Sequence, residues 1–316
     1  MLTYLEFEKP VAELQARIDE LKASASSGAI DIEADITRLE AKVEAQLRSL
    51  YARLTPWQKT LVARHPSRPH FKDIAASLLS DFTPLAGDRK FGEDYAIIGG
   101  PARFRGQPVI AIGHEKGADT ASRLKHNFGM AKPEGYRKAV RLMEMADRFG
   151  LPVITFVDTS GAFPGIQAEE RGQAEAVARA TEACLQLAVP MVASIVGEGG
   201  SGGALALAAA NRILMLEHAV YAVISPEGCA SILWRTADKA AEAAEAMKQT
   251  AQDLKRLQLI DGIVAEPLGG AHRNPAAAIA ALGDAIEAQL RLLAGLDAKA
   301  LRADRRAKFL AMGRSL

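Results

Sequence analysis

The stretch IVGEGGSGGALALAAAN, Ile195 to Asn211, decides how this chain is read. A β-branched apolar run, Val192–Val196, leads into five glycines within seven residues, Gly197 to Gly203, and a run of small residues, Ala204–Ala210, leads out. The pattern is strand, turn, helix. Glycine loses more conformational freedom on folding than any other residue. Five together mark a backbone that bends sharply, approaches something closely, or both. A turn that opens a helix also presents unpaired amide N–H groups and the positive end of the helix dipole, a ready place for an anion or a developing oxyanion.

The same strand–loop–helix order recurs on both sides of the turn. Upstream, the spacing predicts a helix over Gly135–Phe149 stopped by Gly150, a strand over Pro152–Val157, the loop DTSGAFPG (Asp158–Gly165) and a long helix over Ala168–Leu187. Downstream come strands Ile213–Leu216 and Val220–Ile224, helices Pro226–Arg235, Ala237–Leu257 and Ala276–Leu293, and a basic, frayed tail. Tyr95–Ile98 and Val109–Ile112 read as an antiparallel pair around Gly106. Continuous apolar strands are what burial on both sheet faces requires. The whole is an α/β core with largely parallel strands and right-handed crossovers. Ligands in such folds sit beyond the carboxyl ends of the strands, where Asp158–Gly165 and Gly197–Gly203 both lie.

Residues 1–85 read as helical. Val11, Leu14, Ile18 and Leu21 share one helix face, and Ile32, Ile36, Leu39, Val43, Leu47 and Leu50 share another. The breaker within Ala23–Ala29 makes the two a hairpin. Thr55-Pro56 opens a third helix as N-cap and first residue, and Phe71–Ser80 forms a short fourth.

Composition narrows the class. The 316 residues are 49% hydrophobic and 24% charged with a net charge of +1, which offers no bulk attraction for nucleic acid or an anionic membrane. Cys184 and Cys229 have no CxxC partner, so neither a structural zinc site nor a disulfide framework is expected. No secretory signal pattern opens the chain and no apolar run reaches the ~20 residues of a membrane span. A cytoplasmic protein is expected.

Three chemistries compete for the glycine turn. Gly197-x-Gly199-x-x-Gly202 matches the dinucleotide fingerprint, with Glu217 after the next strand as the ribose acid. Gly199-x-Ser201-x-Gly203 matches the nucleophile elbow of serine hydrolases, with Ser201 as nucleophile and His218 or His272 as the base. The third is an oxyanion hole built from the Gly202 and Gly203 amides, which needs no side chain and so accounts for the glycines best. A basic stretch over Lys116–Arg141 is either solvated surface or a site for phosphates or an acidic partner.

Further segments carry a resemblance. HPSRPHFKD (His65–Asp73), LAGDR (Leu85–Arg89), NFGMAKPEGYRKAVRLMEMADRF (Asn127–Phe149), GAFPG (Gly161–Gly165), AEERGQAEA (Ala168–Ala176), GEGGSGGALA (Gly197–Ala206), ISPEGCASILW (Ile224–Trp234), ADKAAEAAEAM (Ala237–Met247) and EPLGGAHRNP (Glu266–Pro275) run in one order along the chain. Together they resemble the carboxyltransferase α subunits of bacterial acetyl-CoA carboxylase. The resemblance implies a crotonase-like spiral of ββα units. It divides the chain into an N-terminal helical extension (1–85), a crotonase-like carboxyltransferase domain (86–296) and a tail (297–316).

It also implies a function. With a β subunit, in an α2β2 assembly, such subunits move a carboxyl group from carboxybiotin on the biotin carboxyl carrier protein to acetyl-CoA. The product is malonyl-CoA for fatty acid synthesis. Biotin carboxylase performs the ATP-dependent step that loads the biotin, and zinc is expected in β, with no metal in this chain. Gly202 and Gly203 are then the oxyanion hole for the biotin ureido oxygen. Gly199, Gly200, Gly161, Ala162 and Gly165 lie on the biotin side, and Arg137 and Lys138 face CoA or the partner. The family's DTPGAYPG reads DTSGAFPG here, with Ser160 for Pro and Phe163 for Tyr. That substitution removes a fixed φ and a phenol.

Overall fold

The computed structural model describes residues 3–25 and 33–314. Two helices, α1 (Lys9–Ala25) and α2 (Glu33–Tyr51), pack against each other as the expected hairpin. Val11 and Leu47 are buried, and Tyr51 Oη donates to Glu8 Oε1 at 3.0 Å. Residues 26–32, with most of the expected breaker and Ile32, lie outside the described residues. Helix α3 (Pro56–Ala63) is opened by a reciprocal cap between Thr55 and Gln58. Helix α4 (Phe71–Leu78) is shorter than expected, because Leu79–Ser80 leaves it as strand β1.

Strands β2 (Ile97–Phe104) and β3 (Gln107–His114) form the expected antiparallel pair. Arg105 and Gly106 between them both have positive φ, which matches a two-residue turn to the strand twist. Helices α5 (Thr120–Lys125) and α6 (Pro133–Phe149) follow, and α6 ends at a left-handed Gly150. After β4 (Val153–Thr159), the expected helix over Ala168–Leu187 is two, α7 (Ile166–Glu170) and α8 (Gln173–Gln186). Gly172 breaks it with a φ of 78°.

Then come β5 (Met191–Gly200), α9 (Ser201–Ala208), β6 (Arg212–Leu216), β7 (Val220–Ala222) and α10 (Pro226–Trp234). The expected helix over Ala237–Leu257 is also broken, into α11 (Ala240–Ala246) and α12 (Ala251–Arg256). Between them Gln249 accepts the Tyr221 amide and Thr250 bridges Val220, so this connection is used to cover β7. Strand β8 (Gly262–Val264), α13 (Pro275–Leu293) and α14 (Ala298–Ala311) complete the chain. The tail is therefore not frayed over this range. Its Arg305 is fully buried and donates to the Leu185 and Leu187 carbonyls and to Asn211 Oδ1.

The sheet order is β1-β2-β3-β4-β5-β6-β8, antiparallel across β1–β2–β3 and parallel from β3 onward. Strand β5 changes partner along its length. Val192–Ile195 pairs with β6, whereas Glu198–Gly200 pairs with β7. The switch falls at Val196 and Gly197, where the ladder cannot serve every carbonyl. Arg68, buried in an ion pair with Glu266 at 2.6 Å, donates from Nε to the Val196 carbonyl at 2.7 Å. Burial alone would raise the Glu266 pKa, but Arg68 and the His218 amide hold it down at about 2. One continuous apolar core runs from Phe71 and Ile74 through β2–β6 to Ile286 and Leu301.

Candidate active site

The glycine turn is tighter than its composition suggests. Gly197, Gly199 and Gly200 belong to the extended strand β5, and α9 begins at once with Ser201. Within this stretch the only residue with positive φ is Ser201, at 53°. The glycines are there for close approach. A Cβ on Gly197 would lie 2.4 Å from Asp158 Oδ1, one on Gly199 2.8 Å from the Tyr221 ring, and one on Gly200 2.1 Å from the Ser160 carbonyl oxygen. Gly203 is the most constrained at the helix start, with Ala162 N at 2.6 Å and Tyr136 Oη at 2.8 Å from the place of its Cβ.

The structure thus brings Gly161 and Ala162 against Gly200 and Gly203. Their loop is held from both sides. Thr159 Oγ1 donates to the Gly161 carbonyl at 2.7 Å and accepts its amide at 3.1 Å. The Phe163 amide donates to Ala131 O, and Gln173 Nε2 donates to both Ala131 O and Phe163 O at 2.9 Å. Gly165 packs on the Phe163 ring, which lies beneath the Lys132 ammonium at 5.1 Å. The amides of Ser201, Gly202 and Gly203 fall in the first turn of α9, where a helix offers them no internal acceptor. Beside them a pocket of about 580 Å³ is lined by Ser201, Gly202, Leu205, Tyr221, Val223 and Ile224.

Beneath the turn lies a polar network that sequence patterning did not single out. Buried Asp158 accepts the Glu198 amide at 2.9 Å and the Lys116 ammonium at 2.7 Å, with His70 Nδ1 3.5 Å away. Glu198 in turn accepts from Arg64 Nη2 at 2.6 Å, and Arg64 reaches on to Glu227. Burial would raise the Asp158 pKa, but Lys116 and His70 hold it well below the usual carboxylate range. These residues come from five separate places in the chain, so no local spacing announces them.

Other expected residues fall elsewhere. Arg137 binds Asp88, the Arg171 carbonyl and Glu134, and Lys138 is buried against Glu93 and the Asp94 carbonyl. Both cations are committed inside the subunit, and neither makes a polar contact with the turn. Glu217 does not meet the turn as a ribose acid would; its carboxylate accepts the Glu266 amide. Ser201 has no histidine beside it: His218 packs edge-on to Tyr51, and His272 stacks on His65 at 3.9 Å. The hydrolase reading fails on that geometry. Among the described residues no group of three or more His, Cys, Asp or Glu is placed to hold a metal ion, and no helix is long and apolar enough to cross a membrane.

The mixed sheet, with a central strand that runs into a glycine-lined helix start packed on a second strand-end loop, has the crotonase-type fold of known carboxyltransferases. The transcarboxylase 12S core superposes with a TM-score of 0.59 at 19% identity, over 72% of this chain and 42% of that one. The β subunit of Pseudomonas aeruginosa geranyl-CoA carboxylase superposes with a TM-score of 0.58 at 17% identity, over 78% and 46%.

The family model described as acetyl co-enzyme A carboxylase carboxyltransferase-like matches residues 4–313. The acetyl-coenzyme A carboxylase carboxyl transferase subunit alpha of Rhizorhabdus wittichii is 71% identical over 99% of this chain and all of its own length. That of Methylobacterium nodulans is 68% identical over the full length of both. The chain belongs to the acetyl-CoA carboxylase carboxyltransferase family, and its chemistry is carboxyl transfer to acetyl-CoA.

Proposed function

We propose that this chain supplies the biotin-facing half of a two-subunit carboxyltransferase, with Gly202 and Gly203 as its oxyanion hole. The observation that carries the reading is the fit of Gly203 against Gly161, Ala162 and the Tyr136 hydroxyl. That packing fixes the direction of an amide whose role requires no side chain. Biotin, when bound, supplies the carboxyl group from its ureido nitrogen. The residues here suit it: the pocket of about 580 Å³ is largely apolar and has the Gly202 backbone at one edge, which matches a bicyclic thioether ring with one polar side.

The work of this chain is electrostatic. The two amides donate to an oxygen that gains negative charge as the carboxyl group departs, an effect of ~2.7–4 kcal/mol per donor in comparable sites. The Gly161–Ala162 segment backs the helix start so that the donors need not reorganise. A partner β subunit holds acetyl-CoA and its enolate across the interface, the carrier protein delivers the biotin, and biotin carboxylase reloads it. In this reading Arg137 and Lys138 are internal struts, and the CoA side belongs chiefly to β.

The test is reconstitution. Co-expressed with its β partner, the chain should form malonyl-CoA from a carboxylated biotin donor and acetyl-CoA. Absence of product with a folded, assembled complex would overturn the reading.

A further inference from the structure

A second concavity opens at the carboxyl ends of β3, β4 and β5. It measures about 400 Å³ and is lined by Arg64, His70, Lys116, Arg123, Ser160 and Glu198 among others. Of these groups Arg123 lies outside the network described above, and His70 meets that network through one ring nitrogen only. His70 is only 8% exposed, yet neither ring nitrogen has a hydrogen-bond partner. Its Nδ1 faces Asp158 Oδ2 at 3.5 Å, and Nε2 is left buried and without a partner in a residue that lines the cleft. Arg123 donates to the Gly117 carbonyl at 3.3 Å and has no carboxylate within ion-pair distance among the described residues. The remaining charges are matched: Arg64 bridges Glu198 and Glu227, and Lys116 bridges Asp158 and Glu198.

We propose that this cleft is a carboxylate subsite, in which His70 Nε2–H and the Arg123 guanidinium hold the carboxyl group being transferred. The ring has Nδ1 beside Asp158, and Nε2–H is the donor offered to the ligand. Arg64 and Lys116 are taken up by Asp158, Glu198 and Glu227, which leaves the Arg123 guanidinium as the cation for a further carboxylate. A buried histidine nitrogen without a partner costs free energy that a bound ligand restores. Arginine suits the role because its planar fork matches a carboxylate with two parallel hydrogen bonds. The cleft also adjoins the glycine turn, since Ser160 lines it and packs on Gly200. The assignment rests on the carboxyl-transfer reading and names the group that this side of the turn recognises.

Malonate is the probe. Titrated into the full chain, it should shift the His70 ring resonances in a saturable way, whereas neutral malonamide at the same concentration should not. Arg123→Ala should weaken malonate at least tenfold. The two amide replacements for His70 separate a ligand role from a structural one. Glutamine places its NH2 near the Nε2 position and asparagine near Nδ1. His70→Gln should therefore stay within about threefold of wild type, and His70→Asn should lose tenfold or more. The reverse order, or a ring signal indifferent to malonate, overturns the subsite.

In the complex with β, Arg123→Ala should raise KM for the carboxyl-bearing substrate more than it lowers kcat. An effect on malonyl-CoA in the reverse direction alone assigns the subsite to the product, and one on the biotin donor alone assigns it to the donor. Wild-type kinetics in both Arg123→Ala and His70→Asn, from an active complex, would sink the subsite and leave the carboxyltransferase reading standing. An inactive wild-type complex would remove that reading, and the malonate titration would still decide the cleft.

Discussion

Asp158 and Glu198 lie 40 positions apart, and one hydrogen bond joins them: Asp158 Oδ1 accepts the Glu198 amide at 2.9 Å. The same carboxylate fills the space a Gly197 side chain would need. It thereby clamps the end of β4 to the stretch of β5 that has just left β6. Lys116 balances the buried charge at 2.7 Å. Asp158→Asn should cost about 3–5 kcal/mol, because it leaves the Lys116 ammonium poorly compensated. The sign with pH follows from the depressed Asp158 pKa. Its contribution is fully present above the ordinary carboxylate pKa of about 4 and is lost as pH falls through the lower, folded value. Urea unfolding at pH 7 should show the whole gap between wild type and variant, and the gap should begin to narrow below about pH 4 and keep narrowing towards the lower, folded value. A gap independent of pH would show that the charge is not what matters.

Gly202 and Gly203 should respond unequally to alanine. A methyl at Gly203 meets backbone at Ala162 and the Tyr136 hydroxyl, all under 3 Å, whereas one at Gly202 meets only a Val177 methyl at 3.1 Å. Gly203→Ala must move the helix start or the 161–162 loop, at a cost of about 1–3 kcal/mol in overpacking. Misplacing a donor should lower kcat by about 100-fold or more, as removing one does elsewhere. Gly202→Ala should lose about tenfold or less and assemble normally. Steady-state malonyl-CoA formation in the complex with β checks both, and equal losses would contradict the packing argument.

Much of this was legible in the sequence. The strand–loop–helix order around Pro152–Val157 and Met191–Val196 places the core, because a strand buried on both faces reads as an apolar run. The convergence of Asp158–Gly165 with Gly197–Gly203 follows from that order. What was not legible depends on distant partners. The glycines of β5 read as a bend, a close approach or both, and close approach is what they serve: they are extended residues crowded by Asp158, Tyr221 and Ser160. Local composition signals that glycine is required without saying which neighbour requires it. The helix over Ala237–Leu257 was broken by the need to cover β7, a contact no periodicity encodes. The network through Arg64, His70 and Lys116 is likewise assembled by topology.

Ser201 is the test of spacer against nucleophile. It holds a left-handed conformation at φ 53° and is exposed, which costs a residue with a Cβ roughly 1–2 kcal/mol. Ser201→Gly relieves that strain while adding freedom to the unfolded chain, so a net gain of about 0.5–1 kcal/mol is expected. Ser201→Ala should keep carboxyltransferase activity within a few-fold of wild type. Loss of activity by 1,000-fold in the alanine variant would restore a chemical role for the hydroxyl.

Arg305 shows why a basic C-terminal segment cannot be dismissed from its charge. Helix α14 carries five cations in LRADRRAK (Leu301–Lys308) and its neighbour Lys299, and most such residues are solvated. Arg305 instead turns inward with no exposed surface. It donates to the carbonyls of Leu185 and Leu187, the last turn of α8, and to Asn211, which follows α9. Cations favour helix C-termini, and these carbonyls have no helical donor of their own. Arg305→Met keeps the length and apolar stem of the side chain and removes only the donors. It strands the Leu185 and Leu187 carbonyls and takes one of two donors from Asn211 Oδ1, which keeps the Met191 amide, and it should destabilise by about 2 kcal/mol or more, since each unsatisfied buried group costs ~1–3 kcal/mol. Because α8 packs on α9, the loss should also reach the glycine turn. Hydrogen exchange should therefore speed up at the α9 amides as well as in α14; protection lost in α14 alone would confine Arg305 to anchoring the tail.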